Sequence, residues 1–285
     1  MQDQGTLDVG RQPLTWLEIE AGATDRHPGL MSAIRRREVD GITVSGLFGE
    51  DECRRAVEVL AARRDQCPSD AMFGTMLGMP LAELARVAPG VDDRTPYLDI
   101  AERSRAFLVE AFGRDPFDRV RDVLAPMAEG LALETPAENG RRYAAGNVRW
   151  MEPGGGGLPA HVGNEFQLHG DLSTTHLRST TDTRDHYSWF VVLQTPTEGG
   201  ALSVFDLLYE SDTDHLESWG EQGRDDSFFD SFPCRRISPA AGSLVFFGGG
   251  WRWHRVDRVA GTRARVTYGG FAARSVDGQA VNFWF

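Results

Sequence analysis

The sequence predicts a mainly β protein with N-terminal helices, its β part folded back on itself as a jelly roll. Three observations lead there. Before residue 140, apolar residues recur at helical spacing. Beyond Tyr143 they give way to short β-branched and aromatic runs punctuated by glycine. Two histidines suited to one metal, His161 and His254, stand far apart within that β-rich half, so the strands between them must double back for both rings to meet one ion, as they do in a jelly roll. The expectation is one domain over residues 1–285, helix-rich over 1–140 and with a jelly-roll core over 141–285.

Taken in order, the first dozen residues are rich in Gln, Asp and Gly and read as a flexible arm. Gly41 to Phe48 alternates as a strand. From Glu50 to Arg64, Cys53, Ala56, Val57, Leu60 and Ala61 form a helical stripe, and a second helix is expected from about Leu98 to Phe112. Asp115-Pro116 supplies an N-cap followed by proline at the first helical position, starting a third helix with Phe117, Val120 and Leu124 inward. Strands are expected at Val148–Met151, Ser188–Gln194, Ala201–Phe205, Ser243–Phe247, Trp253–Val259 and Arg265–Phe271. Gly154 to Gly157 has no following Lys-Ser or Lys-Thr and no helix pattern, so it is a turn and not a phosphate loop. Asp171 to Asp185, full of Ser, Thr and Asp, reads as a loop long enough to cover a site.

Composition narrows the function. A net charge of −12, with no basic cluster beyond Arg35-Arg36-Arg37, argues against a nucleic-acid surface. Cys53, Cys67 and Cys234 match neither a zinc spacing nor a disulfide framework, which suits a reducing, cytoplasmic compartment. No run approaches the ~20 apolar residues of a membrane span. The expected partner is a small molecule, with neither nucleic acid nor membrane.

The chemistry centres on His161-Val162-Gly163 and His254. A mononuclear non-haem Fe(II) oxygenase holds its metal with two histidines and one carboxylate, leaving other positions for co-substrate and O2. Here the His-x-Asp spacing is present but glycine stands where the acid would be. On a strand, residues two apart share a face, so an Asp at 163 would have reached the metal. Its absence leaves room for chloride, which would restore the missing negative charge. Arg263 and Arg265 follow His254 and, two residues apart, point to one strand face, and a planar guanidinium is the expected clamp for the distal carboxylate of 2-oxoglutarate. Arg265 is the better candidate because an apolar strand continues after it. Asn164 is a candidate for orienting groups around the metal. A literal His169-Gly170-Asp171 is a rival motif for an ordinary three-ligand site, and Glu165 a second nearby carboxylate. Trp251, Trp253, Phe246 and Phe247 read as core, although the two tryptophans weakly favour a lipophilic substrate; His176 and His186 read as solvated.

With these residues assembled, the chain resembles the Fe(II)/2-oxoglutarate halogenases that chlorinate carrier-free indole alkaloids of the welwitindolinone and ambiguine type. The likeness is specific at AHVGNEF (Ala160 to Phe166), GGGWRWHRV (Gly248 to Val256) and RVTYGGF (Arg265 to Phe271), and weaker over most of the chain. The resemblance implies a double-stranded β-helix (jelly roll, cupin-like) core, His161 and His254 as iron ligands, chloride beside Gly163, 2-oxoglutarate on Arg265 in preference to Arg263, no metal role for His169 and no carrier protein. The sequence departs from the family chiefly over Gln167 to Asp185, so the alkaloid substrate does not transfer with the iron site.

The expected function is an Fe(II)/2-oxoglutarate-dependent halogenase that uses Fe(II), 2-oxoglutarate, chloride and O2 to chlorinate an unactivated aliphatic carbon of a freestanding natural product. Hydrogen abstraction by an Fe(IV)-oxo species would be followed by halide rebound. Two rivals are a small-molecule hydroxylase with the same cofactors and a non-catalytic cupin-like binding protein.

Overall fold

The structure, a computed structural model, describes residues 14–66, 68–69, 74–84, 92–164, 174–209 and 226–285. The chain opens with strand β1 (Trp16–Glu20), helix α1 (Leu30–Arg35), β2 (Gly41–Ser45) and α2 (Glu50–Ala61). The short strands β3 (Pro68–Ser69) and β4 (Thr75–Leu77) precede α3 (Thr95–Phe112) and α4 (Pro116–Leu124). Asp115 caps α4, accepting the Phe117 amide at 3.0 Å, as its Asp-Pro start predicts. Three more short strands, β5 (Ala132–Glu134), β6 (Ala137–Glu138) and β7 (Arg141–Arg142), complete this half. It therefore holds strands as well as the expected helices. These strands escape detection by periodicity because most are too short to display alternation.

The second half consists of β8 (Asn147–Met151), β9 (Leu158–His161), α5 (Thr175–Thr180), β10 (Tyr187–Gln194), β11 (Glu198–Gly199), β12 (Leu202–Leu208), β13 (Cys234–Ile237), β14 (Leu244–Phe247), β15 (Arg252–Val256), β16 (Val259–Ala260), β17 (Arg265–Arg274) and β18 (Ala280–Trp284). Its hydrogen bonding defines two main sheets. The large, ten-stranded sheet contains β14-β10-β17-β8, and the four-stranded sheet is β13-β12-β15-β9. Successive strands cross from one sheet to the other: β8 to β9, β9 to β10, β10 to β12, β13 to β14, β14 to β15, β15 to β17. That alternation is the double-stranded β-helix, a jelly roll whose two sheets face each other without closing into a barrel. At its edges the large sheet is extended by β1-β2 beyond β14 and by β4-β3 beyond β8, while β18 pairs with β17 and β5 with β18. Part of the Asp171–Asp185 stretch, expected as loop, is α5.

Two-residue alternation sorts the large sheet's side chains. Trp189, Val191 and Leu193 of β10, Val266 and Tyr268 of β17 and Val148 and Trp150 of β8 join a core with Cys53, Leu60, Leu108, Phe117, Val120 and Leu124 of the helices. Burying each large apolar side chain there contributes about 1.5–3 kcal/mol. The opposite face looks toward the small sheet, where Phe190, Val245 and Phe247 meet Leu202, Val204 and Ile237. Trp253 is buried with Phe205 and Phe229, and Trp251 lies in the main core, so neither tryptophan reports on a substrate.

A buried ion pair ties the two halves together. Arg252, at the start of β15, donates from Nε to Asp40 Oδ1 at 3.0 Å and also from Nη2, while the other Asp40 oxygen accepts the Thr15 amide at 2.7 Å. Both side chains are buried. Removing one partner of such a pair leaves a charge stranded, so Asp40→Ala is expected to lower stability by roughly 3 kcal/mol. Urea denaturation would measure this; a loss under about 1 kcal/mol would mean that Asp206, 3.5 Å from Arg252, neutralises it alone.

Among the described residues, no helix is long and apolar enough to cross a membrane.

Candidate active site

His161 ends β9 and His254 lies in the middle of β15, directly opposite it in the antiparallel register. Their ring centroids are 4.2 Å apart. Each ring is fixed in the same way. His161 Nδ1 lies 2.8 Å from the Pro159 carbonyl and His254 Nδ1 lies 2.8 Å from the Arg252 carbonyl. A carbonyl only accepts, so Nδ1 carries the proton in both rings and Nε2 carries the lone pair, the arrangement that orients a metal-binding imidazole. Burial holds both rings neutral: it pushes His161 down to about 4 and His254 well below the usual histidine value.

The two clamp candidates separate. Arg263 lies in the turn before β17, exposed, and donates to Thr195 Oγ1 at 3.2 Å. It cannot share a strand face with Arg265, because β17 begins only at Arg265. Arg265 is 6% exposed, on the face of the large sheet turned toward the small one, with its guanidinium 4.9 Å over the Phe190 ring and 3.9 Å from Met151 Sδ. Among the described residues it has no carboxylate partner. A second arginine, missed in the sequence, shares that face. Arg149 stands in β8 between Val148 and Trp150, which face the helix-covered core, and opposite Thr267 of β17. It too has no carboxylate partner among the described residues. Burial lowers both guanidinium groups to about 10, and their mutual repulsion contributes at Arg265. Two unneutralised arginines on one interior face make a seat for an anion.

Gly163 is not on a strand. β9 ends at His161, and Gly163 and Asn164 turn away in a short helical bend, so strand alternation does not place residue 163. Space explains the glycine: a Cβ at 163 would come within 2.2 Å of His186 Cε1 and Nε2. His186, read from sequence as solvated, is buried. Its nearness to His161 and His254 is hidden in the sequence by its position before β10, although alternation through Ser188 and Phe190 does place it on the interior face. Asn164 positions this neighbour. Its side-chain amide donates to Asp185 Oδ1 at 2.6 Å, and its oxygen accepts the Asp185 amide at 2.9 Å.

The glycines at 248–250 let the elements converge. Gly163 and Asn164 donate to the carbonyls of Gly249 and Gly250 at 2.9 Å, and Gly250 donates to His186 at 2.8 Å. A Cβ at Gly249 would meet Ser188 Oγ at 2.0 Å, and one at Gly250 the His186 backbone nitrogen at 2.6 Å. The turn at Gly154–Gly157 is as expected, with Gly154 and Gly156 at positive φ.

Among the described residues, no three His, Cys, Asp or Glu side chains are grouped to hold a metal ion. His169, Asp171 and Glu165, like Cys67, lie outside the described residues. The donors present fit an iron(II) ion on two neutral imidazoles and a dicarboxylate on a buried arginine seat.

A double-stranded β-helix with such a site is the architecture of the iron(II)- and 2-oxoglutarate-dependent oxygenases, oxidoreductases that use O2. Residues 13–285 match the family described as "Carrier-protein-independent halogenase WelO5", and the chain belongs to that family. A comparison with the curated proteins finds no match. Similar solved structures include an N-substituted L-amino acid dioxygenase from Burkholderia ambifaria AMMD in complex with alpha-KG, at 16% identity and TM-score 0.49, covering 92% of this chain and 90% of that one. The alpha-ketoglutarate-dependent epimerase SnoN from nogalamycin biosynthesis is similar at 17% identity and TM-score 0.47, covering 89% and 86%. A Pseudomonas putida prolyl-4-hydroxylase is similar at 14% identity and TM-score 0.43, covering 85% and 97%.

Proposed function

We propose that this enzyme is a halogenase that chlorinates an aliphatic carbon of a freestanding small molecule, with halide bound beside Gly163 in place of a protein carboxylate. The observation that carries the reading is the donor set of a halogenase-family chain: two opposed histidines, His254 buried and His161 half-buried, and, at the His-x-Asp position, a glycine. Iron(II) with 2-oxoglutarate and O2 supplies the oxidising power for C–H cleavage. His161 and His254 would hold the iron through Nε2. Arg265, with Arg149 beside it, would bind the distal carboxylate of 2-oxoglutarate and fix its orientation. The apolar wall of Phe190, Val245 and Phe247 keeps water from the interior face. Asn164 would act through Asp185 to hold the His186 segment against Gly163.

Anaerobic addition of iron(II) and 2-oxoglutarate is expected to give a visible charge-transfer band that chloride perturbs. Mass spectrometry after O2 exposure, over a panel of lipophilic scaffolds with chloride and then bromide, should show halogen-shifted products. Hydroxylated products alone at saturating chloride would overturn the reading in favour of a hydroxylase, and no band at all would favour a binding protein.

A further inference from the structure

The sequence implies an open space beside Gly163; the fold puts an imidazole there. His186 is 3% exposed, and its buried Nε2 has no hydrogen-bond partner among the described residues. That nitrogen and Cε1 stand 2.2 Å from where a Gly163 Cβ would be. The ring is held from several sides. Its Nδ1 donates to the Thr183 carbonyl at 3.1 Å, so Nε2 carries a lone pair. Phe271 and Trp284 pack edge-on, with centroids at 5.0 and 6.0 Å. The backbone just before it is fixed by the reciprocal Asn164–Asp185 pair, with Asp185 at φ +53°, and its carbonyl is bound by Gly250.

We propose that His186 is a specificity-determining residue for halide: its ring competes with the anion for the space beside Gly163. This deepens the halogenase reading and rests on it. Two physical facts make the competition direct. A carboxylate carbon or a halide beside Gly163 requires volume that the ring already fills, and dense interiors do not yield such volume without displacement of a packed group. A lone pair facing that volume repels an anion, whereas an N–H would attract it. Halide therefore enters as the ring turns from Gly163, and the ease of that turn sets which halides are accepted.

The test compares wild type, His186→Ala and His186→Phe as anaerobic iron(II)–2-oxoglutarate complexes. Chloride and bromide are titrated against the charge-transfer band, with thermal melts of the apo proteins confirming that all three are folded. His186→Ala is expected to bind chloride about tenfold tighter, and to gain more for bromide than for chloride, because the larger ion suffers more from the ring. His186→Phe, which fills the space without a nitrogen, should remain as weak as wild type or weaker. Equal chloride affinity in wild type and His186→Ala would overturn the proposal while leaving the halogenase reading intact. Weaker chloride binding in His186→Ala would also overturn it, making the ring a support for the anion. A charge-transfer band insensitive to halide in all three proteins would overturn both. Should His186→Ala melt as unfolded, His186→Asn, which keeps a polar side chain in a smaller volume, carries the same expectation of tighter chloride binding.

Discussion

Gly163→Asp is expected to abolish the chloride response of the iron(II)–2-oxoglutarate complex and also to destabilise the protein, unless His186 is shortened at the same time. The first effect is chemical. An aspartate at this position supplies the negative charge and the third ligand that halide would otherwise provide. The second is steric. The new Cβ would lie 2.2 Å from the His186 ring, well inside van der Waals contact, and that ring is packed against Phe271 and Trp284. Forcing extra atoms into a filled interior costs about 1–3 kcal/mol. In His186→Ala the obstruction is gone, so the double variant should recover most of that loss and bind iron as an ordinary two-histidine, one-carboxylate site. Denaturation of wild type, both single variants and the double variant forms a cycle with an expected coupling of roughly 1–3 kcal/mol. Additive losses would show that the two positions do not meet. Retention of the chloride response in Gly163→Asp would show that residue 163 is not beside the halide.

Arg265→Leu is expected to move two measurements in opposite directions. Without ligand, the guanidinium sits buried over Phe190 with no carboxylate partner among the described residues and with Arg149 beside it, and burial has already lowered it to about 10. An apolar residue there removes the buried charge, so the apo variant should be more stable by about 1–3 kcal/mol. The 2-oxoglutarate affinity should fall, because one partner of a buried charge pair has gone. A loss of 2–4 kcal/mol corresponds to roughly 30- to 1,000-fold. Thermal melts read both quantities, since ligand at free concentration L stabilises the folded protein by RT ln(1 + L/Kd) and so raises the melting temperature. Wild type should shift upward with 2-oxoglutarate, and the variant should start higher and shift little. A less stable apo variant with an unchanged ligand shift would make Arg265 a packing residue. Arg149→Leu is expected to follow the same signs with smaller size.

Much of the candidate site is legible in the sequence, for identifiable reasons. His161 stands at the His-x-Asp spacing, His254 in a strand-like run after a glycine turn, and Arg265 at the head of an apolar strand, so each position is marked locally. Arg149 carries a comparable signal, between the core residues Val148 and Trp150, but nothing in the sequence pairs it with Arg265; the register of β8 against β17 does. Arg263 was misplaced for a boundary reason: two residues earlier than Arg265 implies one face only if the strand has already begun, and it begins at Arg265. The helices announced themselves through stripes and an Asp-Pro cap. The short strands β3 to β7 did not, because pairing partners create them, and partners are remote in sequence.

Local chemistry, written in the order of residues, determined the helices, the alternating strands, the pair of imidazoles and the missing acid at residue 163. What stands in the place of that acid depends on contacts between segments far apart in the chain. Only the packed fold carries the Gly248–Gly250 turn against Gly163 on one side and His186 on the other, because three close backbone approaches must be satisfied at once. A glycine in the sequence specifies that a side chain is absent; the tertiary structure decides which neighbour fills the space.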